Sequence, residues 1–152
     1  MTQEEKDLLL RDLCARLSCK VKVHAKYIDT DTNVEVEKDG VLSMVDNDTV
    51  IAFTSDDSNC YNYVVIHEVK PYLFPLSSMT NELWNKEFRG YEITEWTRNS
   101  FKCGCETLDF YDHNPDLSSM VGFINQLIKN HFDIYGLIPK GLAIDATGKN
   151  IY

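Results

Sequence analysis

Near the start of the chain, Leu9, Leu10, Leu13, Cys14 and Leu17 recur at helical intervals and form one apolar stripe. Thr2-Gln3-Glu4-Glu5 ahead of them has the spacing of a capping box, with a hydroxyl at the N-cap and a carboxylate three residues on. The pattern predicts an amphipathic helix over about Gln3 to Leu17, with Cys14 in the core. From Lys20 the period falls to two. Val21, Val23, Ala25 and Tyr27 alternate with Lys22, His24 and Lys26, which predicts a half-buried strand with His24 on its outer side. Val34 and Val36 are expected to begin a second strand, with further strands covering Val41 to Val45, Thr49 to Thr54 and the run from Tyr61 to Val69. Asp39-Gly40 reads as a tight turn between two of them, and Asp29 to Asn33 and Asp46-Asn47-Asp48 read as polar turns. Connections this short imply an antiparallel meander.

Pro71 and Pro75 each remove a backbone donor, so the sheet is expected to stop near Val69. Ser77 and Ser78 are placed to cap a helix from Met79 to Arg89 that carries Leu83, Trp84 and Phe88 and ends at Gly90. For residues 91–111 two readings stand, a hairpin about Asn99-Ser100 or a helix running on to Trp96. Asn114, Pro115 and Asp116 then give a helix start, followed by Leu117, Met120, Val121, Ile124, Leu127, Ile128 and His131 at helical spacing. Gly136, Pro139, Gly141 and Gly148 break up the tail, and no linker divides the chain. The expectation is a single α+β domain over residues 1–152. It has an antiparallel sheet of about four to six strands, with the N-terminal helix and a long C-terminal helix packed on one face.

Composition narrows the function classes. No stretch approaches the roughly 20 apolar residues of a membrane span, and the acidic N-terminus, with Glu4 and Glu5, is unlike an export signal. A cytoplasmic protein without a membrane contact is the expectation. Five cysteines in such a chain argue for thiols rather than a disulfide framework. The net charge of -9 disfavours direct binding to nucleic-acid phosphate. Nine acids and one base lie between Asp29 and Cys60, an excess of 9 − 1 = 8 negative charges that favours a basic protein partner.

Candidate chemistry is sparse. Asp29-Thr-Asp-Thr-Asn33 imitates the opening of a calcium loop, but Val34 replaces the required glycine and Gly40 the closing glutamate. Cys103, Cys105 and His113 offer soft ligands for zinc, which Cys60 or His67 could complete. On a strand, Cys103 and Cys105 point the same way and equally suit a packed interior. Ser77 and Ser78 lack the glycine-flanked elbow of a hydrolase, and no catalytic motif or cofactor is indicated. For an interface the candidates are Asp46, Asp48, Asp56 and Asp57 together with Tyr72, Phe74, Trp84 and Trp96.

Three blocks, Arg11-Asp-Leu-Cys-Ala-Arg-Leu17, Lys70 to Thr80 and Asn130 to Asp145, total 34 of 152 residues. Together they resemble a family of uncharacterised short proteins from Bacteroides-type gut bacteria and their prophages. The resemblance implies a bacterial cytoplasmic setting in a mobile element and a frame around a variable middle; it brings no activity, cofactor or partner. The leading functional expectation is a non-enzymatic protein-binding or adaptor module. The alternatives are a small zinc-dependent enzyme using Cys103, Cys105 and His113, and an acidic nucleic-acid mimic that binds a basic DNA-binding protein.

Overall fold

A computed structural model describes residues 1–29, 32–46, 50–55, 61–88 and 117–152. Helix α1, Gln3–Arg16, starts at the expected capping box: Glu5 N–H donates to the Thr2 hydroxyl at 3.2 Å and Thr2 N–H to the Glu5 carboxylate at 2.7 Å. A 3-10 turn, Leu17–Cys19, follows, and Lys20 at φ 55° redirects the chain into the sheet. The strands are β1 Lys22–Ile28, β2 Glu35–Val45, β3 Val50–Ser55, β4 Tyr61–Val65, β5 Val69–Leu73 and β6 Ile144–Asp145. They form a six-stranded sheet in the order β4-β3-β2-β1-β5-β6. The first four strands make the expected antiparallel meander, β5 lies antiparallel to β1, and β6 is parallel to β5.

Three strand boundaries differ from the sequence reading. The run from Tyr61 to Val69 is not one strand: the 3-10 turn Ile66–Glu68 divides it, and β5 begins at Val69 where the sheet was expected to stop. Asp39-Gly40 is not a turn but lies within β2, where Gly40 pairs with Val23 on one side and Ser55 on the other. A Cβ on Gly40 would stand 2.5 Å from the Thr54 carbonyl oxygen and 2.6 Å from Phe53 Cδ2. The glycine is there for close packing against β3, not for a left-handed turn. Pro71 likewise does not stop the sheet but sits inside β5 opposite Val23. The Val21 carbonyl accepts from Leu42 N–H at 3.0 Å, so odd-numbered residues of this run turn their backbone toward β2 and even-numbered ones toward β5. Pro71, opposite an odd-numbered residue, therefore turns its nitrogen away from β1, on the side where β6 begins only at Tyr72. A missing donor there costs no ladder bond.

The buried side of α1 is Leu9, Asp12, Leu13 and Arg16, while Cys14 is exposed. The stripe is rotated from its expected position because Asp12 and Arg16 neutralise each other one helical turn apart. Leu9 and Leu13 join Val21, Val23, Ala25, Leu42, Phe53 and Leu73 in the main core, which Leu137, Leu142 and Ala143 of the tail complete. Helix α2, Asn81–Glu87, is capped by Thr80, whose hydroxyl accepts from Leu83 N–H at 3.1 Å. Ser77 and Ser78 instead lie in a 3-10 turn, Leu76–Ser78, with the Ser78 hydroxyl donating to the Pro75 carbonyl.

Helix α3, Leu117–Lys129, has 13 described residues, and the long helix expected is not confirmed. Its start signal, Asn114 to Asp116, lies outside the described residues, as do Gly90 and the alternatives for 91–111. Phe123, Leu127 and Ile128 of α3 pack with Trp84 and Phe88 in a second cluster, separate from the cluster over the sheet. The segments 11–17, 70–80 and 130–145 meet beside it. Arg16 donates to the Phe132 carbonyl, and Phe74 N–H donates to the His131 carbonyl at 2.9 Å.

Candidate functional site

The face of the sheet away from α1 carries an ordered polar array. Alternation puts Lys22, His24, Lys26 and Ile28 of β1 on that side, and the register sets Lys26 against Glu37, His24 against Asp39 and Ile28 against Glu35. The Lys26 ammonium lies 3.0 Å from Glu35 and 2.9 Å from Glu37. The Glu37 hydrogen bond, then that of Glu35, raises the Lys26 pKa above its ordinary value, while Lys26 lowers that of Glu37. Asp39 Oδ1 is 2.8 Å from His24 Nδ1 and accepts from the Tyr72 hydroxyl at 2.9 Å. Burial, followed by the Asp39 carboxylate, pushes the Tyr72 phenol up to about 12. The acid excess between Asp29 and Cys60 is thus partly matched by bases on the neighbouring strand.

At the far edge of the same face the character changes. A cross-strand row runs Lys22, Val41, Thr54, Tyr61. Tyr61 and Tyr63 on β4 are 59% and 62% exposed, with ring centroids 6.5 Å apart. Val65 continues their side of the strand, and Met44 and Tyr63 flank Ala52 in one cross-strand row. Tyr61, Tyr63, Val65 and Met44 together make an exposed aromatic and aliphatic strip.

Among the interface candidates, Tyr72 and Trp84 are buried and Phe74 is half-buried. Trp84 stacks on Phe88, while Phe74 packs on Phe132 and Tyr152. Asp46 is exposed at the end of β2. Asp48, Asp56, Asp57 and Trp96 lie outside the described residues, and the described residues flanking the acids stand at opposite ends of β3. Tyr61 and Tyr63 were legible as an alternating pair in Tyr61-Asn62-Tyr63, but the sequence does not say which face of β4 the core takes.

A second polar group is buried where α1, α3 and β5 converge. The Arg16 guanidinium grips Asp12 through two hydrogen bonds of 2.8 Å and donates to the carbonyls of Ile128 at 3.0 Å and Phe132 at 2.6 Å. It thereby adds a donor at the Ile128 carbonyl in the last turn of α3, which also accepts from His131 N–H at 3.0 Å, and ties down the Phe132 carbonyl beyond it. Burial raises the Asp12 pKa, against the opposing pull of Arg16. Just beyond, His131 adopts φ 61° and stacks on Tyr152 with centroids 4.0 Å apart. Its Nδ1 is buried without a hydrogen-bond partner, and burial, followed by the Arg16 charge, lowers its pKa to about 4. The Tyr152 hydroxyl accepts from Lys22 N–H and donates to the Tyr72 carbonyl, bridging β1 and β5 where their ladder ends. These contacts are those of a structural joint.

Cys103, Cys105, His113 and Cys60, proposed for zinc, lie outside the described residues, and His67 is exposed. Among the described residues no three His, Cys, Asp or Glu side chains are grouped to hold a metal ion. Asp29 Oδ1 accepts from both the amide and the hydroxyl of Thr32, closing its own turn. Among the described residues no helix is long and apolar enough to cross a membrane. Comparison with protein-family models, with curated proteins and with solved structures gives no match in any of the three.

Proposed function

We propose that the chain is a non-enzymatic protein-binding or adaptor module that meets a basic partner through the outer face of β4. The observation that carries this reading is the exposure of Tyr61 and Tyr63 side by side, with Val65 and Met44, at the edge of the face that carries the polar array. Tyrosines of this kind bring a large rigid contact area and a hydrogen-bonding tip, and they are enriched among residues that dominate binding energy. The segments with Asp46, Asp48, Asp56 and Asp57 adjoin β2, β3 and β4, so the strip has acidic neighbours in sequence that complement Lys and Arg on a partner. A bacterial cytoplasmic setting within a prophage or other mobile element belongs to the same reading. It is supported only by the resemblance of the three sequence blocks.

A photo-crosslinking residue placed at Tyr63 in cells expressing the chain at native level tests the proposal. A crosslinked protein with a basic contact surface is expected, and Tyr61→Ser/Tyr63→Ser should weaken its binding by about tenfold or more without shifting the melting temperature. No specific crosslink, or undiminished binding by the double variant, rules the reading out.

A further inference from the structure

At its other end the polar face opens into a groove. β5 pairs with β1 only from Val23 to Ala25, whereas β1 continues beside β2 to Ile28. The chain enters β5 through the 3-10 turn Ile66–Glu68, leaving a cavity of about 520 Å³ between that turn and the end of β1. Its carboxylates are already engaged: Glu35 pairs with Lys26 at 3.0 Å, and Glu68 accepts from Val65 N–H at 3.2 Å. The groups left over are nitrogens. The Lys70 and His67 side chains are exposed and carry no hydrogen bond or ion pair among the described residues. Lys70 stands directly opposite His24 in the register, so their side chains leave the same face about 5 Å apart at Cβ. With Nδ1 of His24 held by Asp39, Nε2 is the ring atom available to a ligand. Exposed Ile28 and half-buried Ile144 add apolar wall.

We propose that this groove binds a small organic oxyanion, seated between the Lys70 ammonium and the His24 imidazole with its apolar body against Ile28 and Ile144. A carboxylate and a phosphate monoester share the chemistry that these groups recognise. The seat between Lys70 and His24 uses none of the side chains of the β4 strip, although the turn Ile66–Glu68 that walls the groove continues directly from Val65.

Titration of benzoate, phenyl phosphate and acetate into the isotope-labelled full chain, followed by NMR at His24, His67 and Lys70, tests the assignment. Saturable shifts at His24 and Lys70 are expected with benzoate or phenyl phosphate, and the tighter of the two identifies the headgroup. Acetate, without an apolar body, should bind several-fold more weakly. Lys70→Gln and His24→Gln should each weaken binding by about tenfold, while Lys129→Gln, at the exposed end of α3, leaves it unchanged. Shifts that never saturate, equal affinity for acetate and benzoate, or undiminished binding by Lys70→Gln would each overturn the proposal.

Discussion

Replacing Arg16 by Met probes the joint between α1, α3 and β5 directly. Both Arg16 and Asp12 are fully buried, so the substitution strands a carboxylate that water cannot reach. It removes two hydrogen bonds to that carboxylate and one each to the Ile128 and Phe132 carbonyls. Leaving one partner of a buried pair uncompensated costs about 3–5 kcal/mol, and the Phe132 carbonyl, orphaned by the change, adds about 1 kcal/mol or more, whereas the Ile128 carbonyl keeps its bond from His131 N–H. Against a total stability of about 5–15 kcal/mol for a domain, this single change consumes a large share. Asp12→Leu/Arg16→Met removes the stranded charge and is expected to recover most of the first term while leaving the carbonyl cost. Urea unfolding of the parent, both single variants and the double variant, followed by tryptophan fluorescence, measures the coupling. It should reach at least about 2 kcal/mol. If the single costs add within about 0.5 kcal/mol in the double variant, or Arg16→Met costs less than about 1 kcal/mol, the pair does not hold the joint together.

Two further changes test the sheet edge of the core and the His131 stack. Gly40→Ala should cost about 1–3 kcal/mol, because its Cβ meets the Thr54 carbonyl and the Phe53 ring within β3; a melting temperature equal to the parent's would show that β3 yields without penalty. His131 titrates near 4 in the folded chain and near 6.5 when unfolded, so between those values the unfolded state holds more protons and stability rises with pH. The protein should therefore lose about 1–2 kcal/mol between about pH 7 and about pH 4.5 on this account, a figure reduced for solvent screening. His131→Asn keeps a residue that tolerates the left-handed backbone and abolishes the titration. Its urea midpoint should fall less over that interval, and a parallel fall in parent and variant would exclude His131 as the source.

The meander, the N-terminal capping box and the helix from Leu117 were legible because each rests on local signals: period two with polar turns, a hydroxyl with a carboxylate three residues on, and a 3,4 repeat. Gly40 and Pro71 misled because the same residue types serve two purposes. A glycine permits a turn, but it also permits close approach, and only the neighbour Phe53 decides between them. A proline ends a central strand, yet at a position whose nitrogen faces an uncovered side it does no harm. Splitting β2 at Asp39-Gly40 also hid the polar array, since His24 and Asp39 become neighbours only when β2 is continuous.

The sequence by itself determined where helices and strands could form, the alternation of inner and outer side chains, and an excess of acid over base. Tertiary structure alone decided which charges would be spent. It turned α1 so that Asp12 and Arg16, not Cys14, face inward, because a guanidinium there meets both a carboxylate and two carbonyls of a distant segment. It buried Tyr72 and Trp84 while leaving Tyr61 and Tyr63 in water. Burial depends on what lies across the sheet and beyond the next turn, and that long-range arrangement is not carried by any local pattern.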